Sequence, residues 1–374
     1  MGLEVVSRDS IEALVEGPDS SVLRLGLLVP LSGPLGLIGP SALDAACLAA
    51  SEVNSAGGVR GRPIELVVAD AGGSPEDAAR EARKLADCNV VDAFVGLHTS
   101  DVHRAIVASL GGRAPYVFTP PQVGGKRAPG VVLLGESPAQ QLVPALLWLS
   151  DRRRLRRWAL VGSDYVWAWA VHKVATPLIA SLGGQVVMER FVPFGLDVET
   201  GCEELVDALV NARVDAIVVS LIGRDQAIFN RTFSASSYSA RVVRVSGSLE
   251  ENGLLAAGGD DSGELYAAMR SFVGQESSRR LALAENYRNA FGDQAPVLDA
   301  YSEGCYDGIH VAAALASVDG LTVSRAAHLV AGLFAAPDST LARRAWTAAP
   351  LGPPSGDVYL ARAEGLTLSV VAGP

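Results

Sequence analysis

Hydroxyls, aromatics and acids gather in this chain just after apolar runs, where a strand would hand over to a helix. Gly96-Leu97-His98-Thr99-Ser100-Asp101 follows one such run. Thr99 and Ser100 can hydrogen-bond a ligand carbonyl or carboxylate there, beside the free N–H groups of a helix start. Ser100 or Asp101 serves equally well as the cap of that helix. Ser163-Asp164-Tyr165-Val166-Trp167-Ala168-Trp169 follows another run. Its rings suit the wall of a small pocket, with a phenol and an indole N–H as polar handles, and they suit core packing as well. Later runs end in Ser220-Leu221-Ile222-Gly223 and Ser246-Gly247-Ser248-Leu249-Glu250. A carboxylate at Glu250 can receive an ammonium or amide N–H, or stand as an exposed first-turn acid. This is the chemistry of recognition.

Chemistry of reaction is harder to assemble. The chain has no G-x-S-x-G elbow, and histidines 98, 103, 172, 310 and 328 are widely spaced. His98 with Ser100 is the close His/Ser pair, but a hydrolase built on it lacks an identifiable orienting acid and oxyanion hole. His172 and His328 read as helix-face residues. No catalytic residue is therefore assigned, and the expected class is not an enzyme. Cys47, Cys88, Cys202 and Cys305 contain no C-x-x-C pair, so no metal site is expected. They read as buried free thiols, with a Cys47–Cys88 disulfide left open. The loop Leu31-Ser32-Gly33-Pro34-Leu35-Gly36-Leu37-Ile38-Gly39 has only a loose dinucleotide pattern, and Asp70 is poorly placed to hold a ribose, so no cofactor is expected.

The charge balance is 31 basic against 41 acidic residues, or −10. The dense basic run is Arg152-Arg153-Arg154-Leu155-Arg156-Arg157, read as a solvated helix end before a strand or as a partner-docking patch. Direct nucleic-acid binding is not expected.

The elements that must carry these residues repeat one pattern: apolar run, turn, helical period. Strands are expected at 23–30, 64–69, 93–95 and 116–119, with helices at 41–55 and 74–87. Ser74-Pro75-Glu76-Asp77 marks the second helix start with a capping hydroxyl, a first-turn proline and two acids. A second series follows 131–134: helices at 139–150, 167–182, 203–212 and 226–235 alternate with strands at 158–162, 185–191, 214–220 and 242–245. Then come a strand at 265–268, helices near 278–291, 298–317 and 323–334, and a hairpin at 357–360 and 366–371 around Glu364-Gly365. Alternation of this kind means parallel sheets covered by helices on both faces. Two series in 374 residues suggest two lobes, with crossovers near 135–138, 262–266 and 335–337. Residues 1–21 are acidic and lack the basic and apolar regions of a secretory signal, and no run is long enough to span a membrane, so a cytoplasmic location is expected, or a periplasmic one if a leader has been removed.

Val53-Asn54-Ser55-Ala56-Gly57-Gly58-Val59-Arg60-Gly61-Arg62-Pro63-Ile64, with Asp70 and the Gly72-Gly73-Ser74-Pro75 turn, resembles the type I periplasmic-binding-protein family. Val161-Gly162-Ser163-Asp164-Tyr165 and Ala349-Pro350-Leu351-Gly352 look like its branch of short-chain amide and urea receptors, which includes the cytoplasmic sensor of an amidase operon. The resemblance implies two Rossmann-like α/β lobes joined by a three-stranded hinge, with ligand between them. It divides the chain into an extension 1–21, lobe 1 at 22–137 plus 266–333, and lobe 2 at 138–265 plus 334–374. Ligand-binding residues implied or read from strand ends are His98, Thr99, Ser100, Phe118, Thr119, Tyr165, Trp167, Ser220, Ile222, Glu250 and Arg270, with Phe118 and Thr119 lining one side. His98 and Trp167 stand where the branch has tyrosines, and Arg270 where it has an aromatic, which favours a different, acidic or larger ligand.

The expected function is a cytoplasmic sensor of an amide, urea or amino-acid-like ligand that signals by lobe closure to a regulatory protein. The alternative is the solute receptor of an ABC importer, with a permease as partner; a small-molecule hydrolase is the remote third. Homo-oligomer formation is left open.

Overall fold

The computed structural model describes residues 5–125, 127–195, 201–318, 323, 326–335, 342, 346, 349–352 and 356–373. Its first stretch runs β1 (Val6–Asp9), α1 (Ser10–Glu16), β2 (Leu23–Val29), α2 (Gly39–Ser55), β3 (Ile64–Asp70), α3 (Pro75–Asp87), β4 (Ala93–Gly96), α4 (Ser100–Leu110), β5 (Tyr116–Phe118) and β6 (Val131–Leu133). These strands form one sheet in the order β1-β3-β2-β4-β5-β6, and each neighbouring pair is parallel. Parallel neighbours need a crossover, and the helices supply it. A strand covered on both faces has no polar side to show. That is why Leu23–Val29 reads as an unbroken apolar run and is buried along its whole length. Ser74 caps α3 as its sequence announces, its hydroxyl accepting from Asp77 N–H at 3.1 Å.

The chain continues through α5 (Pro138–Arg152), β7 (Arg157–Ser163), α6 (Val166–Ser181), β8 (Gln185–Val192), α7 (Gly201–Asn211), β9 (Ala216–Ser220), α8 (Gly223–Ser234), β10 (Val243–Ser246), α9 (Glu251–Ala257) and β11 (Leu265–Met269). Then follow α10 (Ser278–Phe291), α11 (Ala300–Ala316), α12 (Ala326–Ala335), β12 (Tyr359–Glu364) and β13 (Thr367–Ala372). The second sheet has the order β13-β12-β11-β10-β9-β7-β8, with β12 antiparallel to both its neighbours.

Two compact units result. One takes in Met1–Pro120, Gly125–Gly135 and Ser277–Ser355, the other Pro121–Gly124, Glu136–Glu276 and Gly356–Pro374. In the first, Ala78, Ala82 and Leu85 of α3 and Val102, Ile106 and Leu110 of α4 share a core with Leu28, Val67 and Phe94. On the other face α11 lies against β4 and β5. A Cβ added at Gly308 would stand 2.7 Å from both Thr119 Cγ2 and Val95 Cγ1. In the second, Leu205 and Leu209 of α7 and Phe229 and Phe233 of α8 share a core with Ala159, Val161, Ile217 and Val219. Arg244 and Asp260 form an ion pair there at 2.8 Å with both side chains fully buried.

Three placements differ from the sequence reading. Val6–Asp9 pairs with β3, so the N-terminal extension is partly sheet, and α1 begins in a capping box on Asp9. Leu265–Met269, expected to open the return to lobe 1, pairs with β10 and β12 in the second sheet. Its backbone groups complete two ladders there, which outweighs any local signal of a crossover. Residues 336 and 337 of the third expected crossover lie outside the described residues, as do 324 and 325 of the helix expected at 323–334. Cys47, Cys88, Cys202 and Cys305 are free thiols; Cys202 and Cys305 are buried, whereas Cys47 is half-buried and Cys88, at the C-terminal end of α3, is exposed.

Candidate functional site

In the first unit the β4–α4 turn carries His98, Thr99 and Ser100. His98 turns inward, 1% exposed. Its Nε2 lies 2.7 Å from the Tyr116 hydroxyl and its Nδ1 3.1 Å from the Thr99 carbonyl. A neutral ring with its proton on Nδ1 donates to Thr99 and accepts from Tyr116. Gly96 leaves the space: a Cβ there would meet His98 Nε2 and the Tyr116 ring at 2.8 Å. Both ring nitrogens are thus spent inside the protein, and burial pushes the His98 imidazole down to about 4. His103 of α4 packs on Phe118 with ring centroids 4.2 Å apart, and burial lowers it to about 3.

Phe118 and Thr119 do not line one side. Phe118 belongs to the α3–α4 core, while Thr119 meets α11 on the opposite face, as strand alternation requires. The Thr119 hydroxyl donates to the Gly96 carbonyl at 3.2 Å. The glycine loop after β2 is a braced turn. Asp70 accepts from Leu31 N–H at 2.9 Å, Ser32 Oγ–H at 2.6 Å and Gly72 N–H at 2.8 Å. Burial raises the Asp70 carboxyl, but these hydrogen bonds outweigh it and leave it below its ordinary value.

In the second unit Tyr165 ends the β7 turn and Trp167 sits in the first turn of α6, with ring centroids 6.3 Å apart. The Trp167 indole N–H and the Ser163 hydroxyl are buried with no hydrogen-bond partner among the described residues. Ile222 precedes α8 and is 3% exposed. Glu250 is committed locally. Its carboxylate accepts from Asn252 N–H at 2.5 Å and Gly253 N–H at 2.8 Å, capping α9. Arg270 lies 3.8 Å from Glu136, both side chains buried.

Ser220 sits in a chain that sequence spacing hides. Its Oγ is 3.0 Å from His172 Nε2, and His172 Nδ1 is 2.9 Å from Glu189 Oε1. The order is that of an activated nucleophile. Ser220 is 0% and His172 2% exposed, so both lie in the packed interior of the second unit. Gly162 admits the pair, since a Cβ there would stand 2.4 Å from Ser220 Oγ. Sequence reading also passes over Gln141, whose Nε2 donates to Gly247 O at 2.7 Å and Ala268 O at 3.0 Å, tying the ends of β10 and β11 together.

The helix starts show a pattern. Among helices whose N-cap is described, α1, α3, α5, α9, α10 and α11 have a side-chain cap. In contrast, α2, α4, α6 and α8 have none. Of these, α4, α6 and α8 directly follow β4, β7 and β9, at the strand ends where open α/β sheets bind ligands, whereas α2 begins after a 3-10 turn at Gly36–Ile38, with Gly39 N–H donating to Gly36 O and Pro40 offering no N–H. A helix start without a side-chain cap offers N–H groups to an anion or a carbonyl. Among the described residues no group of three or more His, Cys, Asp or Glu is arranged to hold a metal, and no helix is long and apolar enough to cross a membrane.

Two α/β units whose strand ends carry open helix starts and buried hydroxyl and indole donors define a class of small-molecule binding proteins. A family profile described as periplasmic binding protein matches residues 22–367, and the chain belongs to that family. It is 38% identical over 102 residues to Leu/Ile/Val-binding protein homolog 7 of Brucella suis biovar 1 (strain 1330), a match taking in 27% of this chain and only 25% of that relative. Solved structures share the type I fold. An R. palustris ABC-transporter solute-binding protein in complex with benzoate superposes with TM-score 0.70 at 17% identity, covering 94% of this chain and 96% of that one. The branched-chain amino acid transporter substrate-binding protein of Streptococcus pneumoniae, in complex with isoleucine, gives 0.72 at 17%, covering 94% and 100%. A fatty acid ABC transporter substrate-binding protein from Thermomonospora curvata gives 0.74 at 18%, covering 95% and 93%. These relatives lend no support to the amide-sensor branch or to a cytoplasmic sensor.

Proposed function

We propose that this chain is the solute-binding receptor of an ABC importer, holding a small organic solute at the C-terminal ends of its strands. Membership of the periplasmic-binding-protein family supports a binding role without catalysis. The observation that carries the site is the set of helices α4, α6 and α8, which start at strand ends without side-chain caps. The candidate contacts are Thr99 and Ser100 at the start of α4 in the first unit, and Tyr165, Trp167 and Ile222 at the starts of α6 and α8 in the second. Open N–H groups and unpartnered donors suit an acceptor-rich solute, and a carboxylate fits best. Benzoate, isoleucine and a fatty acid, named for the structural relatives, all carry one. The partner is then a membrane permease, and the working compartment lies outside the cytoplasm.

The test is calorimetric titration with aromatic and aliphatic carboxylates, amino acids, amides and ureas. A carboxylate should bind, and Ser100→Ala and Tyr165→Ala should each weaken it by about tenfold, the equivalent of 1.4 kcal/mol, without unfolding the chain. Unchanged affinity in both variants would show that the site lies elsewhere.

A further inference from the structure

We propose that the second unit carries another binding site, for a small organic anion, at the end of its sheet away from the strand C-termini. A cavity of about 590 Å³ lies there, within the range of small-molecule sites. Its lining residues Val214 and Asp215 lead into β9, and Arg241 and Val242 lead into β10. Phe233, 0% exposed, and Val242, 6%, contribute an apolar floor, while Tyr238, 38% exposed, offers a ring and a hydroxyl.

Two exposed guanidiniums, those of Arg213 and Arg241, line this cavity. Neither has an ion-pair or side-chain hydrogen-bond partner among the described residues. The acceptors around them already have donors. Asp215 Oδ2 accepts from the backbone N–H of Arg156 and of Arg157, each at 2.9 Å. The carbonyls of Ala212 and Arg213, just past the end of α7, accept from Arg157 Nη2 at 2.8 Å and Nε at 3.0 Å. The basic run before β7 thus neutralises the helix end and leaves Arg213 and Arg241 in surplus. Arg213 also holds φ at 50°, a conformation that glycine adopts at less cost, so the cation is kept there against a backbone preference.

A chain of net charge −10 repels anions over most of its surface. Two guanidiniums against the single Asp215 carboxylate leave this concavity net positive, and their planar forks suit a carboxylate or a phosphate. The floor and the Tyr238 ring suit an organic body more than a bare ion. This site is independent of the transport reading, because it shares no residue with the solute contacts.

The test is calorimetric titration of the full chain at low ionic strength with citrate and with phenyl phosphate. Binding of either probe is expected, weakened at least tenfold in Arg213→Gln/Arg241→Gln and unaffected by Tyr165→Ala. Citrate alone binding assigns a carboxylate ligand, and phenyl phosphate alone assigns a phosphate ester. Arg213→Lys/Arg241→Lys keeps the charge but removes the forks, and should weaken binding by less than the glutamine pair. Absence of heat with both probes, binding that survives the glutamine pair, or binding lost in Tyr165→Ala overturns the proposal.

Discussion

His98 illustrates how one residue's surroundings redirect its chemistry. Its two nitrogens go to Tyr116 and Thr99, so the imidazole is held neutral, at about 4, mainly by burial. An unfolded histidine takes up a proton near pH 6.5. Between about pH 6.5 and 4 the unfolded chain therefore binds a proton that the folded chain refuses, and stability falls as pH falls through that window. His103, at about 3, extends the loss further down. The His98 share is on the order of 3 kcal/mol. Urea denaturation at pH 7, 6, 5 and 4 should show the decline, and His98→Gln should be less stable at pH 7 but flatter across the series. Equal slopes for wild type and variant would remove His98 from the account. Nothing near His98 in the sequence foretells this, because Tyr116 is eighteen positions away.

At the scale of elements, the close approach of α11 to the first sheet depends on glycine. Gly304 and Gly308 fall on one face of the helix, where Thr119 and Val95 fill the space that side chains would take. Gly308→Ala gains helix propensity, worth about 1 kcal/mol in an open helix. It also drives a methyl to 2.7 Å from two side chains, and such overpacking costs about 1–3 kcal/mol. The second effect should win, lowering the thermal midpoint, whereas Gly332→Ala, with nothing within 4 Å, should not. A Gly308→Ala variant as stable as wild type would mean that α11 can shift outward freely. Both glycines look alike in the sequence, each lying in a helical pattern. Contact with another element separates them.

For the whole molecule, binding and stability are linked by mass action. A solute held only by the folded chain adds about 2.7 kcal/mol at a hundredfold excess over Kd. A carboxylate that binds should therefore raise the thermal midpoint in proportion to the logarithm of its concentration. Tyr165→Ala should shift that curve to higher concentration while leaving the ligand-free midpoint within a few degrees of wild type. A midpoint indifferent to a solute that calorimetry shows to bind would mean that the unfolded chain binds it too.

The sequence by itself determined the alternation of strands and helices, and with it two largely parallel sheets, because hydrophobic period and turn residues are local properties. It also marked the β4, β7 and β9 turns, since hydroxyls and aromatics after an apolar run need no distant partner to be noticed. Tertiary structure decided which of those side chains are free. His98 is taken by Tyr116, Ser220 by His172, and Glu250 by its own helix, while the Trp167 indole and Ser163 hydroxyl stay without partners among the described residues. It decided too that Leu265–Met269 belongs to the second sheet, where pairing with β10 and β12 satisfies its backbone. The reason is common to both. A hydrogen-bonding group takes whichever partner the fold brings within 3 Å or so, and that partner can be remote in the chain, as Tyr116 is from His98.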